Sequence, residues 1–125
     1  TSRYFNYIYV RMGAHTLIHK RTEDDIWKNL FELPLVETEK DLSEEEFLAC
    51  PQFHALFAEG EVRMVRILLR GVKHVLSHRV IYTNFYEVTL PDNSSSFSSY
   101  QRVAVEDLGR YAVPRLIHAF LEKYV

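Results

Sequence analysis

Hydrophobic and polar positions run through this chain with two different periods. Arg3 to Arg11, reading RYFNYIYVR, is aromatic and β-branched and predicts a strand. Met12-Gly13-Ala14-His15 then offers a turn before a second strand over Thr16 to Lys20, so a hairpin is expected. FELPLVE, from Phe31 to Glu37, predicts a short extended piece, because Pro34 keeps its predecessor out of the helical region. Ser43 followed by Glu46 has the spacing of a capping box, in which hydroxyl and carboxylate satisfy free amides at a helix start. The short helix should end near Cys50-Pro51, with another turn or two across Phe53 to Phe57. Val62 to Val75 and Val80 to Leu90 predict strands, and PDNSSSFSS, from Pro91 to Ser99, predicts a loop. Near the end, Leu116, Ile117, Phe120, Leu121 and Tyr124 share one face at helical spacing, with Pro114 in the first turn. The pattern is α+β: a mixed sheet flanked by helices and closed by an amphipathic one, with no internal repeat.

Length narrows this to one domain over residues 1–125, since 125 residues with 47% hydrophobic content bury a core without staples. The single cysteine, Cys50, leaves no disulfide framework and no four-cysteine metal site, which fits a reducing compartment. No apolar run approaches the roughly 20 residues that span a bilayer, and no signal-peptide pattern opens the chain. A soluble, intracellular protein with no membrane partner is expected. The start at Thr1, running almost at once into a strand, reads as a piece excised from something longer or as a processed terminus.

The formal charge of −2 hides an asymmetry. Between Glu37 and Glu61 stand eight carboxylates against Lys40 alone. From Val62 to Tyr86 there is no carboxylate, while Arg63, Arg66, Arg70, Lys73 and Arg79 supply five cations. Two uses are open: the segments pair with each other, or the basic one meets an anion.

The basic segment contains KHVLSHRVIY, Lys73 to Tyr82, where chemistry is densest. His74 and His78 are four apart, as in zinc peptidases, but Val75 stands where that motif needs its glutamate. If extended, the two would lie roughly 13 Å apart, too far for one ion. Ser77 beside His78 is not triad geometry, and no glycine-flanked elbow surrounds the serine. Glu44-Glu45-Glu46 is accounted for by a first helical turn, where acids favour the helix dipole. Neither a catalytic residue nor a metal ligand is assigned.

DDIWKNLFELP (Asp24 to Pro34), KHVLSH (Lys73 to His78) and the closing YAVPRLIHAFLEKY occur in the order found in one known family. From Tyr4 to Tyr124 the chain resembles the C-terminal domain of the MutY-type adenine DNA glycosylases, which remove adenine mispaired with 8-oxoguanine. The resemblance implies a Nudix-like α/β fold and a noncatalytic role in base-excision repair. It also implies lesion recognition by a tripeptide, commonly Phe-Ser-His, in a loop between strands; the matching residues are Leu76, Ser77 and His78, with Leu76 in place of the ring. Guanine offers N7 as an acceptor, whereas 8-oxoguanine carries a hydrogen there and a carbonyl at C8. A serine hydroxyl accepts from that new donor, and a loop amide donates to the new oxygen.

Arg79 and Lys73, with His74, suit contacts to the DNA backbone, which position without reading sequence; the alternative is that they are ordinary surface charges. The implied partners are duplex DNA with an 8-oxoguanine:adenine mispair and the catalytic domain of the same polypeptide. That domain would hold the acidic catalytic residue and the four-cysteine iron–sulfur cluster, neither of which this chain contains. A bacterial, nucleoid-associated cytoplasmic setting follows from the same resemblance. Two rivals remain. A Nudix nucleotide pyrophosphohydrolase needs a glycine- and glutamate-rich box, yet Pro34 is followed by Leu35-Val36-Glu37, and SEEEFLACPQ has no arginine or glycine. A protein-interaction domain would use a sheet edge.

Overall fold

In the computed structural model, which describes residues 1–22, 24 and 27–125, the aromatic opening stretch becomes β1 (Ser2–Arg11). It lies inside a four-stranded sheet ordered β4-β1-β6-β5, with β4 at Leu35–Thr38, β5 at Met64–Leu76 and β6 at Arg79–Thr89. β1 runs parallel to β6 and antiparallel to β4, while β5 and β6 form an antiparallel hairpin. A central strand is covered on both faces, so apolar side chains occupy consecutive positions. Phe5, Tyr7 and Tyr9 enter one core with Phe85, Ile81 and Phe120, whereas Ile8 and Val10 enter a second with Phe47, Tyr86 and Val88.

The expected hairpin between the first two strands is confined to its turn. Met12 and His15 exchange both backbone hydrogen bonds (2.9 and 3.0 Å) around Gly13, which has φ +59°. Beyond that bridge β2 (His15–Lys20) departs to a three-stranded sheet with β3 (Phe31–Glu32) and β7 (Gln101–Ala104). β6 pairs with β1 along its whole length and β4 pairs with it over Tyr4–Tyr7, while β2 finds its partners in β3 and β7.

The capping box forms as its spacing predicts. Ser43 Oγ accepts from the Glu46 amide at 3.1 Å, and Glu46 Oε1 accepts from the Ser43 amide at 2.9 Å, opening α1 (Glu44–Ala49). Those hydrogen bonds from Ser43 hold the Glu46 carboxyl below the usual range. The next turn is α2 (Pro51–His54), earlier than expected because Pro51 suits a first helical position. The serine-rich loop is irregular, and Glu61 organises it. Its carboxylate accepts from the hydroxyls of Ser94 (2.6 Å) and Ser96 (2.7 Å) and from the amides of Ser95 and Ser96. Those donors, the Ser94 hydroxyl foremost, lower its pKa to about 2. The 3-10 turn α3 (Val105–Arg110) and strand β7 have no counterpart among the sequence expectations. The last helix, α4 (Arg115–Tyr124), buries Leu116, Ile117 and Phe120 as predicted. Pro114 stands one step outside it as the N-cap, and Tyr124 stays 37% exposed while stacking on Phe120.

Candidate functional site

The segment that concentrates the sequence's chemistry is the closed end of the β5–β6 hairpin. Leu76 pairs with Arg79, and Ser77 and His78 form the two-residue turn between them, both exposed. The expected loop between strands is therefore as short as a hairpin allows. β5 is two residues longer than β6, and the excess appears as register shifts between Ile67 and Leu69 and between Leu69 and Val72. The second shift is pinned. Gly71, at φ +69°, donates its amide to Asn84 Oδ1 (2.8 Å), and Asn84 Nδ2 donates to Asn6 Oδ1 (3.1 Å) across the parallel pair.

Downstream of that anchor, strand alternation sorts the residues. His74 and Leu76 turn inward: Leu76 packs on the first core, and the His74 ring lies 6.1 Å from that of Trp27. Lys73 and Val75 are exposed on the opposite face. His74 and His78 are thus separated by the end of an extended strand and its turn, and among the described residues no three His, Cys, Asp or Glu side chains converge as metal ligands would.

Beside the turn lies an open depression of about 660 Å³, lined by Leu76, Ser77, His78 and Arg79 together with Arg3, Asp24, Trp27 and Ile81. That volume is in the range of small-molecule sites, and an apolar floor with a few polar rim groups is their usual make-up. Arg3 and Ile81 are register partners on β1 and β6, which is why the first strand reaches a site distant from it in sequence. Trp27 belongs to the DDIWKNLFELP motif, of which Asp25 and Ile26 lie outside the described residues. It is held by an edge contact to Phe5 (6.1 Å) and by the Arg21 guanidinium, 5.8 Å from its ring. Arg21 is itself fixed by both oxygens of Glu32 (2.9 and 3.0 Å), which also accepts from the Tyr7 hydroxyl at 2.9 Å. Arg3 and Trp27 carried no functional assignment from sequence, because only the parallel β1–β6 register and a contact between distant segments bring them here.

The structure divides the basic segment. Arg66 bonds Glu87 (2.7 and 2.9 Å), and Arg70 reaches Asp41 at 3.1 Å and the Leu42 carbonyl at 2.9 Å. Arg3, outside that segment, makes a two-pronged bond to Glu37 (2.8 and 2.6 Å). Mutual pairing therefore accounts for the middle of β5. Lys73 and Arg79, nearer the turn, have no carboxylate within salt-bridge distance among the described residues, and both are exposed. The predicted reading residues (Leu76, Ser77, His78) and backbone contacts (Lys73, His74, Arg79) thus share one end of one hairpin, with His74 turned toward Trp27 and Lys73 outward.

Two sheets with helices on both faces of the larger one, and a parallel pair at its centre, define an α+β fold whose open site lies at a strand end. Residues 6–123 match the NUDIX domain model, and the chain belongs to that family. Among solved structures, the C-terminal domain of mouse MUTYH, in complex with human PCNA, has a TM-score of 0.69 at 15% identity, covering 98% of this chain and 86% of that one. A MutT chain from work on the Aliivibrio salmonicida and Vibrio cholerae proteins has a TM-score of 0.65 at 15% identity, covering 98% and 96%. The MutT protein of Methanosarcina mazei has a TM-score of 0.60 at 18% identity, covering 98% and 91%. At these identities the likeness is one of fold. No curated protein matches the sequence.

Proposed function

We propose that this chain is a noncatalytic lesion-recognition domain of a MutY-type adenine DNA glycosylase, reading 8-oxoguanine opposite adenine in base-excision repair. The observation that carries the reading is the exposed Ser77-His78 turn, set on a paired hairpin at the rim of the depression and flanked by Arg79 and Lys73, cations with no salt-bridge partner among the described residues. A serine at a tight turn presents its hydroxyl at a fixed position, as recognition of one ring hydrogen requires. The cations suit phosphates on either side. The fold likeness to the mouse MUTYH domain is consistent with this role. In such an enzyme the glycosylase chemistry and the iron–sulfur cluster belong to another domain of the same polypeptide, in the bacterial cytoplasm with the nucleoid.

The MutT-like neighbours favour a second reading, magnesium-dependent hydrolysis of nucleoside phosphates. Against it, Glu46 is committed to the cap of α1, and the glycine-rich box is missing from the sequence. The two readings separate on the 125-residue chain itself. Duplex binding should weaken steeply with salt, and 8-oxo-dGTP with magnesium should be left intact. Magnesium-dependent turnover of that nucleotide, with salt-independent or undetectable duplex binding, would favour the hydrolase.

A further inference from the structure

Val75 is the most exposed of the large apolar side chains described, at 66%. It stands two residues before Ser77, roughly 7 Å along an extended strand. A lone surface valine needs no explanation, but the setting of this one is specific. Its cross-strand partner is Val80, and its neighbour on the same face, Lys73, pairs with Tyr82, whose ring stacks on Tyr4 at 5.7 Å. Val75 is therefore a branched, rotationally stiff side chain backed by a paired strand and held downstream of a pinned bulge. Leu76, by contrast, is turned into the core and has no side chain to offer outward. Lys73 and Val75 are exposed on one face of β5 and the exposed Ser77 follows in the turn, so a cation, an apolar branch and a hydroxyl succeed one another in a stretch from Val62 to Tyr86 that holds no carboxylate.

We propose that Val75 is an apolar wedge that enters the DNA duplex at the base step beside the base read by Ser77. Lys73 before it and Arg79 after it, neither with a carboxylate within salt-bridge distance among the described residues, suit a polyanion, and the apolar side chain between them adds what a phosphate contact alone does not need. Proteins that kink duplexes insert Leu, Ile, Met or Phe between base steps, and unstacking one step costs a few kcal/mol, recovered by added contact. The wedge holds the step open, Lys73 grips the adjoining phosphate, and the hydroxyl of Ser77 meets the base edge of the loosened base. This rests on the lesion-reading function proposed above.

The test places 2-aminopurine next to 8-oxoguanine on the same strand and records its fluorescence with the whole glycosylase polypeptide at saturating concentration. Unstacking raises that fluorescence. The parent protein should raise it about threefold or more, Val75→Ser should lose at least half of the rise, and Val75→Leu should keep it. Ser77→Ala is scored separately, by its preference for 8-oxoguanine over guanine, which it should lose. An undiminished rise with Val75→Ser, or none with the parent, overturns the wedge. If Ser77→Ala leaves the preference untouched, the lesion-reading function fails instead, so the two failures are distinguishable. Because Val75 is exposed, Val75→Ser should melt within about 2 °C of the parent.

Discussion

Replacing Phe85 with alanine is expected to remove about 3–5 kcal/mol of folding stability, the range for large aromatic truncations in a packed core. Phe85 is fully buried at the centre of the larger sheet. Its ring stacks on Phe120 of α4 with centroids 4.2 Å apart and planes 3° apart, and on Tyr7 of β1 at 5.6 Å. Alanine there opens a void between helix and sheet and removes two aromatic contacts, each worth about 0.5–1.5 kcal/mol beyond area burial. Phe85→Leu, which keeps most of the volume, should cost well under half as much. Equilibrium urea denaturation of both variants measures this. A loss under 1 kcal/mol for Phe85→Ala would mean that α4 does not rest on the sheet as described.

Arg21→Leu should cost a comparable amount, about 3–5 kcal/mol, for an electrostatic reason. Arg21 and Glu32 are each 2% exposed, and the guanidinium reaches both carboxylate oxygens. Removing it leaves a buried charge whose other partners, among the described residues, are the Tyr7 hydroxyl and His19, whose Nε2 lies 3.1 Å from Glu32 Oε2. Taking away both charges is a different experiment. Arg21→Leu with Glu32→Leu should recover at least half of the loss, because it is the stranded carboxylate rather than the missing attraction that is expensive. Thermal unfolding of the two singles and the double gives the coupling, and a double variant as unstable as the worse single would contradict the pairing. Because Arg21 also lies against Trp27, the single variant should loosen the wall of the depression next to the Ser77 turn.

How far the sequence discloses this molecule depends on how local the determinant is. The Ser43–Glu46 cap and the apolar face of α4 are each set by neighbours within a few positions, and each forms where the pattern places it. The departure of β2 from β1 goes with pairings between segments distant in sequence, β1 with β4 and β6 and β2 with β7. Periodicity carries no such information. The same holds at the site. Leu76, Ser77, His78 and Arg79 are contiguous and so were legible together, whereas Arg3 arrives through the parallel register with Ile81, and Trp27 through a loop packed against His74. The asymmetry of charge was visible in sequence, but which cations would be neutralised was not, since Asp41, Glu37 and Glu87 choose their arginines in space. At the position where the resembled MutY-type tripeptide commonly has phenylalanine, this chain has an inward-facing leucine, and the ring that lines the depression beside the turn is the largely buried Trp27.

Under the proposed function, single-turnover adenine removal by the parent glycosylase polypeptide, measured opposite 8-oxoguanine and opposite guanine, tests the central claim most directly. Ser77→Ala should lower the ratio of the two rates by roughly 5- to 150-fold, the equivalent of about 1–3 kcal/mol for one matched hydrogen bond to a base edge. The rate opposite guanine should stay within about twofold of the parent. A ratio unchanged by Ser77→Ala, and unchanged again when His78→Ala is added, would contradict lesion reading by this turn.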